Sequence, residues 1–105
     1  MVTLCHIDDL AENGGRRFEF DGERLFAVRR RGAVYVYRNV CPHQGTPLDW
    51  KPNAFFDADG HFLKCSTHGA LFEVTSGICI AGPCRGHALE TVTWHLRDGR
   101  LSVSL

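Results

Sequence analysis

The chain has 105 residues, 44% of them apolar and 23% charged, and its 12 basic and 12 acidic side chains give a formal net charge of zero. That length suits one small domain with a core of ordinary size, and the expected organisation is a single domain over residues 1–105 with no second, catalytic domain. The composition excludes a disordered chain, and the balanced charge offers no field that would hold nucleic acid.

In chain order, the opening stretch MVTLCHIDDLAENGG meets Asp8 and Asp9 before any apolar run long enough for a signal sequence or a bilayer span. The expected location is therefore the cytoplasm, with no membrane partner. A brief helical turn fits Asp8 to Glu12, and no long helix fits anywhere. Short runs rich in Val, Ile, Phe, Tyr and Thr follow: RRFEF, RLFAVRR, AVYVYRN, HFLKC, LFEV, ICIA, LETVTWHLR and RLSVSL. Each reads as a strand. Turn signals fall between them at Asp21-Gly22, Arg31-Gly32, Asp59-Gly60, Ser76-Gly77 and Asp98-Gly99, the last being the clearest two-residue hairpin. The run Arg29, Arg30, Arg31 beside Gly32 reads as a solvated hairpin turn. The pattern as a whole predicts an all-β sandwich or barrel.

One segment breaks this rhythm. Between Asn39 and Asn53 lie Pro42, Pro47 and Pro52 together with Gly45, and no strand pattern survives. So much irregular backbone reads as a functional loop held by something other than a sheet ladder.

Two blocks bracket that segment, Cys41-x-His43 and Cys65-x-x-His68, with 21 residues from Gln44 to Lys64 between them. An odd number of cysteines, five, in a reducing compartment favours metal binding over a disulfide framework. Two thiolates and two imidazoles could hold zinc as a structural clamp, which would make the chain an interaction module. Structural zinc sites, however, usually pair like with like at short spacing, and here each block is mixed. Two irons bridged by sulfide suit mixed blocks better, one iron taking both thiolates and the other both imidazoles.

Cys41-Pro42-His43-x-Gly45 and Cys65-Ser66-Thr67-His68-Gly69 resemble the two cluster loops of the Rieske iron-sulfur proteins, and Gly82-Pro83-Cys84-Arg85-Gly86 resembles the proline loop that covers the cluster. The resemblance extends over nearly the whole chain. It implies a Rieske-like fold, an antiparallel base carrying a cluster-binding subdomain over about residues 40–75, and one 2Fe-2S cluster ligated by Cys41, His43, Cys65 and His68. Two ferric ions, two sulfides and two thiolates sum to zero charge when the imidazoles are neutral, so an electron enters more easily than it enters an all-thiolate cluster. In the high-potential members, additional loop cysteines form a disulfide, and a serine and a tyrosine donate hydrogen bonds to cluster sulfurs. This chain has Gly45 and Thr67 where the additional cysteines would fall, and Ala70 and Phe72 at the serine and tyrosine positions. The resemblance therefore implies a potential toward the low end of the range for histidine-ligated clusters, about −150 to +300 mV.

By the same resemblance, the chain is a soluble one-electron carrier with no catalytic residues and no small-molecule substrate. It would pass electrons from a flavin reductase to a terminal oxygenase of the ring-hydroxylating type; a small subunit of a larger redox complex, such as a nitrite reductase, is the second expectation. The stretch KPNAFFDADGHF makes the spacing between the cluster loops longer than the compact loops of oxygenase ferredoxins. Cys5, Cys79 and Cys84 read as small buried apolar residues, and a Cys79–Cys84 bridge, though conceivable, does not suit the cytosol. His6, His61, His87 and His95 read as surface residues, Pro47, Leu48 and Trp50 as packing for the loop or as an apolar rim, and Asp49, Asp57, Asp59 and Glu73 as solvated charges.

Overall fold

In the computed structural model, which describes residues 1–42, 45–49, 51–67 and 69–105, the organising element is a strand with no polar face. Leu25, Phe26, Ala27 and Val28 are each 0% exposed, because the strand that carries them is covered on both sides. The strands run β1 Val2–His6, β2 Gly14–Phe20, β3 Glu23–Arg30, β4 Ala33–Arg38, β5 Leu63–Lys64, β6 Leu71–Phe72, β7 Cys79–Ala81, β8 Thr93–Arg97 and β9 Arg100–Ser104. They form three antiparallel sheets ordered β1-β9-β8, β2-β3-β4 and β5-β6-β7.

The middle sheet faces two ways. Leu25, Ala27, Val34 and Val36 pack with Leu10, Val92, Leu101 and Val103 into one core, against the β1-β9-β8 sheet. On the other face Phe26, Val28 and Tyr37 pack with Phe55, Leu63, Phe72, Cys41 and Cys65. The register agrees with this division, since Ala27 pairs with Val36 and Phe26 with Tyr37. Phe26 stacks on Phe55 with ring centroids 4.4 Å apart, which pins the segment after the first loop to the central strand. Burial of a phenylalanine in such a core is worth about 3–5 kcal/mol against alanine.

Hairpins at Asp21-Gly22, Arg31-Gly32 and Asp98-Gly99 form as the sequence predicts. Both central residues of each have positive φ, at 49° and 81°, 52° and 76°, and 51° and 77°, the backbone of the tight turns that suit twisted strand pairs. The helical turn lies slightly earlier than expected, at Ile7–Asp9, capped by His6: the Asp8 N–H donates to His6 Nδ1 at 3.1 Å and the His6 N–H to Asp9 Oδ2 at 3.0 Å.

Two sequence readings change. The opening stretch includes a strand, β1, which pairs with β9 through Val2 opposite Val103 and His6 opposite Arg100; a partner at the far end of the chain leaves no local signal. The arginine run is not simply a solvated turn. Arg31 and Gly32 make the turn, but Arg29 reaches back, its Nη1 donating to the Ile7 and Leu10 carbonyls at 3.2 Å each, and Arg30 donates to the Gly60 carbonyl. Among the described residues no helix is long and apolar enough to cross a membrane.

Candidate metal centre

The small sheet β5-β6-β7 and the irregular segment after β4 present two loops that share one hydrogen-bond plan. In the first, the Gly45 N–H donates to the Cys41 carbonyl at 2.8 Å and the Cys41 N–H to the Thr46 carbonyl at 2.8 Å. In the second, the Gly69 N–H donates to the Cys65 carbonyl at 2.9 Å and the Cys65 N–H to the Ala70 carbonyl at 2.9 Å. Gly45 and Gly69 take φ of 73° and 72°, a conformation that costs an L-residue about 1–2 kcal/mol, so glycine four residues after each cysteine follows from the turn. The loops are also joined directly, the Ser66 N–H donating to the Leu48 carbonyl at 3.0 Å.

The result is two thiols, Cys41 at 1% and Cys65 at 0% exposure, in one apolar core. His43 and His68 lie outside the described residues, as do Gln44 and Trp50. Among the described residues no three His, Cys, Asp or Glu side chains gather as a metal site, so the thiol pair is the described half of the expected ligand set.

A network that sequence reasoning missed holds the first loop. Asp49, expected to be solvated, is 3% exposed, and Asn39 is 2% exposed. Asn39 Nδ2 donates to Asp49 Oδ1 at 2.9 Å, the Leu48 N–H donates to Asn39 Oδ1 at 2.8 Å, and the Asn53 N–H donates to Asp49 Oδ2 at 3.0 Å. Arg17 Nε stands 3.9 Å from Asp49 Oδ2. These bonds do what a ladder does elsewhere, satisfying the polar backbone of a proline-broken segment. Arg24 adds a bond from Nη2 to the Gly45 carbonyl at 3.1 Å. The signal available in the sequence was an Asn at the start of the irregular stretch and an Asp ten residues further along it. Leu48 is 0% exposed and packs the loop, and Pro47 is half-buried.

The third segment closes over the pair. The Gly86 N–H donates to the Cys79 carbonyl at 3.1 Å and the His87 N–H to the Cys84 carbonyl at 2.9 Å, making a tight turn of Gly82 to Gly86. A Cβ on Gly82, where φ is +99°, would come within 2.8 Å of the Ala70 Cα, so only glycine lets this turn approach the second loop so closely. Cys84 reaches the other loop. Burial first, then hydrogen bonds and charge from Cys79 and Cys41, push its thiol up to about 12. The Cys84 thiol donates to Cys79 Sγ at 3.0 Å, and both residues are 2% exposed. Cys5 is half-buried, and His6, His61, His87 and His95 are exposed.

The donor chemistry fits an iron-sulfur cluster. Two buried thiolates would be strongly unfavourable in an apolar core without a cation to neutralise them. Thr46 Oγ1 is buried with no hydrogen-bond partner among the described residues, so a hydroxyl hydrogen stands ready for an acceptor beside the first loop. Fold and site together define a small β protein in which two like loops each bury one thiol in a shared core.

The model of the Rieske [2Fe-2S] domain matches residues 1–95, and the chain belongs to that family, whose prosthetic group is a 2Fe-2S cluster. The cytochrome b6-f complex iron-sulfur subunit of Chlorobaculum thiosulfatiphilum is 28% identical over 82 residues, covering 78% of this chain and 41% of the relative. The ferredoxin component of the alkene monooxygenase system of Xanthobacter autotrophicus is 27% identical over 81 residues, covering 72% of this chain and 59% of the relative. The chain thus spans less than two thirds of the length of either. The solved ferredoxin of carbazole 1,9a-dioxygenase from Nocardioides aromaticivorans has the same fold, with a TM-score of 0.79 at 24% identity over 99% of this chain and 98% of that one.

Proposed function

We propose that the chain is a one-electron carrier that takes electrons from a flavin reductase and delivers them to a terminal oxygenase of the ring-hydroxylating type, acting in the cytoplasm as a single domain over residues 1–105. The observation that carries this reading is the pair of equivalent loops, each burying one cysteine of the ligand set Cys41, His43, Cys65 and His68. When bound, the cluster supplies a one-electron couple. The chain's own residues do the rest. Asp49, Asn39 and Arg24 hold the first loop, β5 and β6 hold the second, and the turn at Gly82 to Gly86 packs against the second at Ala70. The cluster-binding part covers about residues 40–75, with the turn after β7 as its cover.

The name of the Xanthobacter relative, a ferredoxin component of an oxygenase system, supports the choice of acceptor. No substrate chemistry is assigned to the chain itself. The test is reconstitution of NADH-driven turnover with a reductase and an oxygenase of this type. Turnover that depends on the chain is expected. A reducible cluster that supports none, or purification only as a tight complex with a large redox enzyme, would replace the free carrier with a fixed subunit.

A further inference from the structure

Cys79 and Cys84 stand outside the proposed ligand set, yet their sulfurs approach one another closely. Their Sγ atoms lie 3.0 Å apart, within about 1 Å of a disulfide bond length. The backbone already brings the two residues together, since the Gly86 N–H bonds to the Cys79 carbonyl and the Cys79 N–H bonds to the His87 carbonyl. Each is 2% exposed, but Gly82, Pro83, Arg85 and Gly86 around Cys84 are exposed. A small oxidant needs to pass only one turn to reach them.

We propose that Cys79 and Cys84 form a reversible dithiol/disulfide couple in the turn that covers the metal centre, closed by a hydroperoxide. One sulfur attacks the O–O bond of hydrogen peroxide, becoming a sulfenic acid as the first water leaves. The second sulfur displaces that oxygen as a second water, and the S–S bond forms. Two thiol hydrogens and two electrons pass to the peroxide, so the step balances with no further reactant. A dithiol reductant reverses it.

The pairing stands on thiol geometry alone, and Cys84 and Cys41 lie in one buried core.

The test uses cluster-loaded protein treated with graded hydrogen peroxide below the dose that bleaches its colour, then unfolded with N-ethylmaleimide and cut after Glu73 and Glu90. The fragment of residues 74–90 carries Cys79 and Cys84 and no other cysteine. Treated protein is expected to yield this fragment unlabelled and two mass units lighter than the dithiol, with both labels restored by dithiothreitol. In Cys79→Ala and Cys84→Ala variants the remaining thiol cannot give that fragment. Two labels at every dose would overturn the couple. The labelling result is read whether or not the protein supports an oxygenase, which separates failure of this inference from failure of the carrier reading.

Discussion

Replacing Asp49 with alanine tests how the first loop is held. The carboxylate accepts from Asn39 Nδ2 at 2.9 Å and from the Asn53 N–H at 3.0 Å, and its side chain is 0% exposed. A hydrogen bond to a charged group contributes about 1.5–3 kcal/mol, and a buried donor left without a partner costs about 1–3 kcal/mol. Two such bonds are lost, but Asn53 borders exposed residues and water can reach part of the gap. The expected loss is about 3–4 kcal/mol, a large fraction of the roughly 5–15 kcal/mol that holds a domain together. With a urea slope of about 1–2 kcal/mol/M for a small protein, the midpoint should fall by roughly 2 M. Asp49→Asn keeps the volume but places an amide where one donor expects an acceptor, so about half that loss is expected. The assay is urea unfolding by circular dichroism at matched iron content, with the rate of iron release to a chelator as second readout. Both should worsen together. An Asp49→Ala protein within about 1 kcal/mol of the parent would show that the network is incidental to the loop.

By the resemblance to the high-potential members, which sets Ala70 and Phe72 at the serine and tyrosine positions, the wild-type midpoint should lie below about +150 mV. Ala70→Ser with Phe72→Tyr should raise it, by about 40 mV for each donor that favours the reduced state by about 1 kcal/mol; no rise in voltammetry refutes the assignment of these positions. Gly82→Ala should destabilise by about 2 kcal/mol or more, combining a positive φ with backbone displacement against Ala70, and a thermal midpoint equal to wild type would contradict it. Tyr37 donates from its hydroxyl to the Val74 carbonyl at 2.6 Å, and burial, then Tyr35 and Glu73, push its phenol up to about 12. The folded state therefore holds this proton more tightly than the unfolded chain. That contribution is whole below about pH 10 and is lost as pH rises from there through about 12, so the stability advantage over Tyr37→Phe should shrink across that window. An advantage that stays constant from pH 9 to 11.5 would refute the sign.

The legible parts of the structure were those with a local cause. Asp21-Gly22, Arg31-Gly32 and Asp98-Gly99 announce their turns because few residue pairs accept two positive φ values in succession. The unbroken run Leu25 to Val28 is the exception that organises the fold, and only the structure shows why it does not alternate: both of its faces are covered. That Cys41 and Cys65 open two like loops was legible from their matching blocks, and the shared hydrogen bonds of those loops explain why Gly45 and Gly69 recur. What stayed hidden depends on distant partners. β1 finds β9 across the whole chain, Arg29 folds back onto Ile7 and Leu10, and Asp49 is buried only because Asn39 meets it across the irregular loop. A Cys79–Cys84 pairing was conceivable from the sequence, but only the turn between them shows how near it brings their sulfurs.

The proposed function depends on Cys41, His43, Cys65 and His68 holding a 2Fe-2S cluster. The most direct measurement is iron, sulfide and zinc content of anaerobically purified protein, with visible absorbance and EPR of the dithionite-reduced sample. A red-brown protein with about two irons and two sulfides per chain is expected, its EPR after one-electron reduction being that of a histidine-ligated cluster. A colourless protein with about one zinc per chain, from cells shown to assemble clusters on other proteins, would mean that the four residues are a structural clamp. The electron-carrier account would then be wrong.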